Sequence, residues 1–545
     1  MGLYTWPWFA ALGSSGTPFD DTLLHTWSLA FVVHQALSDP LHLYDANMYW
    51  PHPHALAYTE TLFPQALMAS PVFALTGNAM LAHNLVLTAS VVLAGVFAAV
   101  LAFAVTRSRG AALVAALGFA FAPFRFRHLL QLGVSSYEWF PLVLLAVLLV
   151  LRRHRRGRAA FLLFLACLAQ ALSSGYYAVL LAIMLVTTAV VLSPLLVRSR
   201  RGALVPALAG VLMALAVALL ATRPVATLRA QTNMTRGIEG SRHWSAVPRS
   251  FIDPGEPAGW NPSRVLGSVV EPTSEPLFPG FVIGVLAIAG AAHSRHKVAR
   301  RLGVSLFFAG ALFAFGPALR DLPVDMPGPF ALLRLLPAAD MLRAPSRFGV
   351  LSLMAASLLA SLGYARIERA LPSTLRGGAS ALTLGLMIVD LAPAFAPRPV
   401  RPPPAVSHRL AALPRGPVLE LPWREEQATG YYLYWSTVHW QPLVNGYGGF
   451  APPGNFPVAA MTHNFPTRFA ARVARCGGIR YVVVHDISSN EAKLRRAHDG
   501  GVPGVIRTEW FGDDVLFEVE PWDRALPCPE ELPEPFRPGR DGRLR

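Results

Sequence analysis

Apolar runs recur along this chain too often for a water-soluble fold. Candidate helices lie at roughly 80–105, 110–122, 138–151, 159–172, 176–197, 203–222, 279–292, 302–316, 347–365 and 377–394. A helix that crosses the hydrocarbon core needs about 20 apolar residues, and several of these runs approach that length. Of the 545 residues, 53% are hydrophobic and only 14% are charged, against about 25% charged in soluble chains. The expected fold class is an α-helical polytopic membrane protein with about 10–11 transmembrane helices.

The net charge of +15 invites a nucleic-acid reading, but the bases sit in short clusters between apolar runs. Arg107 and Arg109, Arg152 to Arg158, Arg198 to Arg201, Arg295 to Arg301 and Arg366 to Arg376 occupy every second connection. Basic residues gather on the cytoplasmic side of membrane proteins. No nucleic-acid partner is expected. The opening stretch, 123–137, 173–175, 223–278, 317–346 and the segment beyond 397 are then expected outside the cytoplasm. This predicts a multi-pass membrane protein.

Residues 3 to 12 are apolar but too few to span, so either they lie in the interface or the true start lies upstream. The start lacks the charged n-region of a signal peptide. Residues 22–38, with His25, Trp27 and His34, and 61–77, broken by Pro64 and Pro71, read as interfacial helices. The expected organisation is a first extracytoplasmic loop over 1–78, a helical bundle over 79–396 and a small extracytoplasmic α/β domain over 397–545. The proline-rich stretch Ala396 to Ala405 is read as the linker. In the last segment PVLELPW, PLVNGY, RYVVVHD and DVLFEVE are read as β-rich runs, and 464–476 and 490–498 as helices. Cys476 and Cys528 could pair if that segment meets an oxidising compartment, whereas Cys167 lies in an apolar run.

The candidate chemistry concentrates between Pro18 and Gln65. Asp20, Asp21, Asp39, Asp45 and Glu60 fall there, with His25, His34, His42, His52 and His54. Asp21 fits a general base that takes a proton from an acceptor hydroxyl. It fits equally a helix cap for 22–38. Glu60, Tyr58, His52 and His54 suit sugar hydrogen bonding, or with Asp21 a divalent metal, or only a solvated loop. Arg125, Arg127 and His128, and again Arg343 and Arg347, sit on the expected outer side against the charge trend. Arginine binds phosphate with two parallel hydrogen bonds, so both groups suit a lipid phosphate headgroup; snorkelling to ordinary anionic lipids is the alternative. Gln131, Tyr137 and Glu138 could line the same cavity. HWQPLVNGYGGFAPP could contact carbohydrate or be plain turn chemistry.

The order of these pieces resembles a known family. An outer Asp before an interfacial helix, YWPHPHALAYTE, FAPFRFRH, SSGYY, LRAPSRF and VLELP…NGYGGF together look like the bacterial multi-spanning proteins related to GT-C glycosyltransferases. Protein O-mannosyltransferases and aminoarabinose transferases share that class. The resemblance is strongest over 18–140 and 337–365. It implies a polyprenyl-phosphate-linked sugar donor, Asp21 as base by motif position, and basic residues that stabilise the leaving phosphate. Arg125, Arg127, Arg343 and Arg347 are placed in that last role by location. Family members carry a full helix before the catalytic loop, where this chain shows only a short apolar run, and no clean Asp-x-Asp or Glu-x-Asp signature is present. Two other readings fit the composition: a transporter or flippase of a lipid-linked glycan, and a non-catalytic envelope assembly protein. Transport predicts ionisable residues near mid-membrane; here the polar residues gather at the expected outer face.

Overall fold

The computed structural model describes residues 15–16, 20–129, 131–151, 156–198, 201–232, 234–254, 275–319, 326–336, 339–392, 398–423, 426–486, 501–523 and 527–538. The reading of 490–498 as helix lies outside them. Two compact units emerge. One takes the described residues of 85–223 and 234–396; the other takes those of 11–84, 224–233 and 397–545.

Two helices open the chain, α1 (Asp20–Ser38) and α2 (Phe63–Thr76), where interfacial helices were expected. Then follow α3 (Ala79–Thr106), α4 (Arg109–Ala120), α5 (Pro123–Arg127), α6 (Leu132–Ser135), α7 (Trp139–Leu151), α8 (Arg156–Ser173), α9 (Gly175–Arg198) and α10 (Arg201–Ala221). Past two further helices, Arg223–Thr232 and Ile238–His243, come α11 (Phe281–His293), α12 (Lys297–Ala314), α13 (Val350–Ala370) and α14 (Ser373–Asp390). Each of the ten apolar runs is thus helical. Among the described residues seven stretches are long and apolar enough to cross a membrane: Ala79–Thr106, Arg109–Arg127, Leu132–Leu151, Arg156–Ser173, Gly175–Leu195, Gly202–Ala221 and Pro345–Ala370. Phe281–His293 is a shorter apolar helix. The chain is a multi-pass membrane protein with a small C-terminal α/β region.

The helical unit is organised around α13, in which every residue from Val350 to Ala365 is buried. It packs against α11, α12 and α4. Its sequence, VLSLMAASLLASLGYA, mixes leucine with small residues, and small residues let helices approach closely. A Cβ on Gly290 of α11 would stand 2.0 Å from the Leu359 carbonyl oxygen, and one on Gly363 would stand 2.1 Å from that of Leu286. The serine hydroxyls stay satisfied within helices: Ser357 donates to the Leu353 carbonyl at 2.9 Å, and Ser352 to Phe307 at 2.7 Å. Unsatisfied polar groups would be costly here.

The second unit holds β1 (Val418–Leu421), α15 (Glu426–Ser436), α16 (Asn455–Thr462), α17 (Arg468–Cys476), β2 (Tyr481–Val484), β3 (Val505–Phe511) and β4 (Asp514–Val519). The sheet order is β1-β2-β4-β3, with β1 parallel to β2 and the other pairs antiparallel. The apolar runs VLEL of β1 and YVVV of β2 are almost wholly buried, β1 although it ends the sheet. PLVNGY forms a loop instead of a strand, touching β1 through one bridge between Val418 and Leu443. Cys476 and Cys528 form a disulfide with their Cα atoms 5.7 Å apart.

Candidate active site

In the second unit the first loop and the C-terminal segment build one surface. Asp21 lies in the first turn of α1, where a carboxylate is favoured by the helix dipole. Downstream, α1 packs on α15. Trp27 donates its indole N–H to Asn47 at 3.0 Å, and Asn47 donates to Ser436 at 3.1 Å. His34 stacks on Trp440 with ring centroids 4.1 Å apart. Backbone bonds then tie the two stretches side by side. The Tyr49 amide donates to Asn445 O at 3.0 Å, Trp50 to Leu443 O at 2.8 Å, and Leu443 to Asn47 O at 3.0 Å.

This ladder aims the NGYGGF loop. Gly446 leaves room for the Tyr49 ring, which a Cβ would meet at 2.3 Å, and a Cβ on Gly448 would stand 2.9 Å from the Tyr58 carbonyl oxygen. The Phe450 amide donates to that same carbonyl at 3.1 Å. Asn445 exchanges side-chain bonds with the Glu420 backbone, at 2.7 and 2.8 Å. Between these anchors Tyr447 donates its hydroxyl to Asp21 Oδ1 at 2.8 Å. Tyr447 was not among the residues singled out in the sequence. The only sequence signal for it is the glycine-rich loop.

The other loop candidates take different places. Tyr58 is 1% exposed and lies edge-on to Tyr49 at 5.6 Å; burial raises its pKa. His52 lies edge-on to Phe536 at 6.1 Å, and burial lowers its pKa. His54 adopts a left-handed backbone, with φ of 55°, and faces Asp45: its amide donates to Oδ1 at 2.8 Å and its Nδ1 lies 3.0 Å from the same oxygen. That is turn closure. Glu60 accepts at its carbonyl from Ser28 at 3.4 Å. Among the described residues no group of three or more His, Cys, Asp or Glu is placed to hold a metal ion.

In the helical unit FRFRH and LRAPSRF come together. Arg127 and His128 end α5, Gln131 precedes α6, Tyr176 opens α9 and Arg347 precedes α13. Arg347 donates to Gln131 Oε1 at 3.0 Å and lies 4.4 Å from the Tyr176 ring centroid. The Tyr176 hydroxyl accepts from the Arg343 amide at 2.6 Å and that of Ala344 at 3.2 Å. The Arg343 guanidinium stands 5.6 Å from the Trp244 ring, and burial, then the Arg343 charge, lowers the pKa of Arg236. Glu275, 3% exposed, accepts from Ser346 Oγ at 2.9 Å and lies 3.4 Å from His128 Nε2. Burial lowers His128 to about 3, helped by Arg347 and Arg127, so its ring is neutral. Burial raises Glu275 against the pull of Ser346, Arg347 and Arg127.

Arg125 lies elsewhere, fully buried among the helices. It donates to the Ser135 carbonyl at 2.6 Å and to Ser90 Oγ at 3.2 Å, and Ser90 passes a 2.6 Å bond to Glu138. Its guanidinium stacks 3.8 Å over Tyr137. A buried charge needs such partners. The arrangement fixes the turn that carries Arg127 and His128, and it takes Tyr137 and Glu138 into the same buried network.

The fold is that of the GT-C glycosyltransferases: a polytopic helical bundle with a small α/β C-terminal region. The chain is similar to the arabinofuranosyltransferase AftD from mycobacteria, with a TM-score of 0.56 and 15% identity over 92% of this chain; it spans 41% of that protein. It is also aligned with ArnT from Cupriavidus metallidurans bound to undecaprenyl phosphate, at a TM-score of 0.47 and 11% identity, over 97% of this chain and 98% of that one. No family model matches this chain, and no curated protein does.

Proposed function

We propose that this protein transfers a sugar from a polyprenyl-phosphate donor to a hydroxyl-bearing acceptor outside the cytoplasm, in a bacterial inner membrane. Asp21 takes the proton from the acceptor hydroxyl. The acceptor oxygen bonds to the anomeric carbon as the bond from that carbon to the phosphate oxygen breaks. The electron pair leaves with the lipid phosphate, and the anomeric configuration inverts. Arg127 and Arg347 stabilise the charge that develops on the phosphate, with Arg343 beside them; Arg125 positions their turn. His52, His54, Tyr58 and Glu60 line the first loop, where Glu60 and Tyr58 suit sugar contacts. The C-terminal region lies on the outer side, in keeping with its disulfide.

The observation that carries this reading is the gathering of Arg127, Arg343 and Arg347 at converging helix ends in a chain of this fold. A donor whose leaving group is a lipid phosphate calls for such a cluster. Membranes holding the protein, supplied with labelled polyprenyl-phosphate sugars, should release polyprenyl phosphate in step with labelled product. Arg347→Ala should cut that release by at least about tenfold, since one charge-assisted contact is worth roughly 1.5–3 kcal/mol. Release that continues at the wild-type rate in Arg347→Ala would remove the cluster from the reaction.

A further inference from the structure

The acid set among the arginines is a further specificity element. Resting on the lipid-phosphate reading above, we propose that Glu275 tunes the charge of the basic cluster so that it holds the donor phosphodiester and lets go of the product phosphomonoester. The geometry places a buried carboxylate where a phosphate-binding cluster would be expected to have none. Glu275 is anchored by Ser346 at 2.9 Å and lies 3.4 Å from His128. The charged groups that act on it are Arg127 and Arg347. With His128 neutral, Glu275 offsets one of the guanidinium charges of the cluster.

The reaction changes the ligand by one charge. The donor is a phosphodiester and carries one negative charge. Once its bond to the sugar breaks, the lipid phosphate is a monoester and carries a second negative charge above a pKa of about 6. Without the carboxylate the cluster would grip that dianion hardest just when it has to leave. Coulomb energy is linear in each charge, so a carboxylate weakens the hold on a dianion twice as much, in free energy, as the hold on a monoanion.

The test compares two lipids at pH 8, undecaprenyl phosphate and its methyl ester, a monoanionic diester. Affinities are measured with the full-length protein in nanodiscs of zwitterionic lipid. Glu275→Gln keeps the acceptor for Ser346 and removes the charge. It should tighten the monoester about tenfold and the diester about threefold, the square root that linear charge dependence requires. Glu275→Asp should keep the wild-type ratio of the two affinities. Gln131→Glu adds a negative charge against Arg347 and should act oppositely, weakening the monoester more than the diester, so the inference stays testable if Glu275→Gln does not fold. Equal changes for both lipids, or none, in the charge-altering variants would overturn the inference and leave the lipid-phosphate reading standing. A folded wild-type protein that binds neither lipid would overturn both.

Discussion

Tyr447 and Asp21 meet at 2.8 Å across 426 residues of sequence, a contact that bears on the two roles open to Asp21. A carboxylate in the first turn of a helix is explained by the helix dipole alone. A tyrosine held on a glycine-walled loop and pointed at that carboxylate serves no capping purpose. In the proposed reaction it orients the carboxylate oxygen. Tyr447→Phe should therefore lower kcat by about tenfold, the scale of one hydrogen bond, with KM little changed. Combined with Asp21→Asn it should add almost nothing, because both changes act on one unit. Additive losses in that double-mutant cycle would assign Tyr447 to loop packing. The pairing was not legible in the sequence, since nothing in a one-dimensional pattern joins residue 447 to residue 21. The same limit hid Glu275. Arg127 and Arg347 were legible because arginine on the expected outer side runs against the charge trend, whereas burial of Arg125 depends on Ser90 and Glu138 across the bundle.

At the scale of elements, the helices were read well and the strands less so. Ten apolar runs became ten helices because hydrocarbon length and backbone satisfaction leave few alternatives. The strand Val505–Phe511 escaped notice because Arg507 and Glu509 interrupt its apolar pattern, as an edge strand permits. PLVNGY misled in the opposite direction: its apolar residues are buried against β1 and the first loop without a ladder of their own. Two predictions belong here. Gly290→Ala puts a Cβ against a carbonyl oxygen of α13 and should destabilise the bundle by about 1–3 kcal/mol, the usual cost of overpacking; thermal unfolding in detergent measures it. The sheet carries a buried tie as well. His485 Nε2 lies 2.8 Å from Glu420 of β1 and its Nδ1 lies 2.9 Å from Asp514 of β4. Burial would lower His485, but Asp514 and Glu420 outweigh it and raise it to about 9. A raised folded-state pKa stabilises fully below the unfolded value near 6.5 and is lost as pH rises through about 9. Hydrogen exchange in β1, β2 and β4 should quicken between pH 7 and pH 9.5, beyond the intrinsic base-catalysed rise. His485→Gln should abolish that excess; an excess that persists in the variant would place its origin elsewhere.

For the whole molecule, seven stretches of membrane-crossing length among the described residues and a disulfide-bonded α/β region make up a multi-pass membrane protein of GT-C-like fold. The composition excluded a soluble enzyme and the charge pattern argued against nucleic acid, but neither could name a sugar or an acceptor, because specificity for either rests on a few side chains. The account stands most on Asp21. The deciding measurement is transfer of labelled sugar from a panel of polyprenyl-phosphate donors into membrane extract by purified, lipid-reconstituted protein, wild type against Asp21→Asn. Asn keeps the shape and accepts the Tyr447 hydrogen bond but cannot take a proton. The account predicts transfer by the wild type and a loss of about 10²–10⁴-fold in the variant, the range for a general base. Transfer that survives in Asp21→Asn would contradict it, returning Asp21 to the start of a helix and moving the base to Glu60.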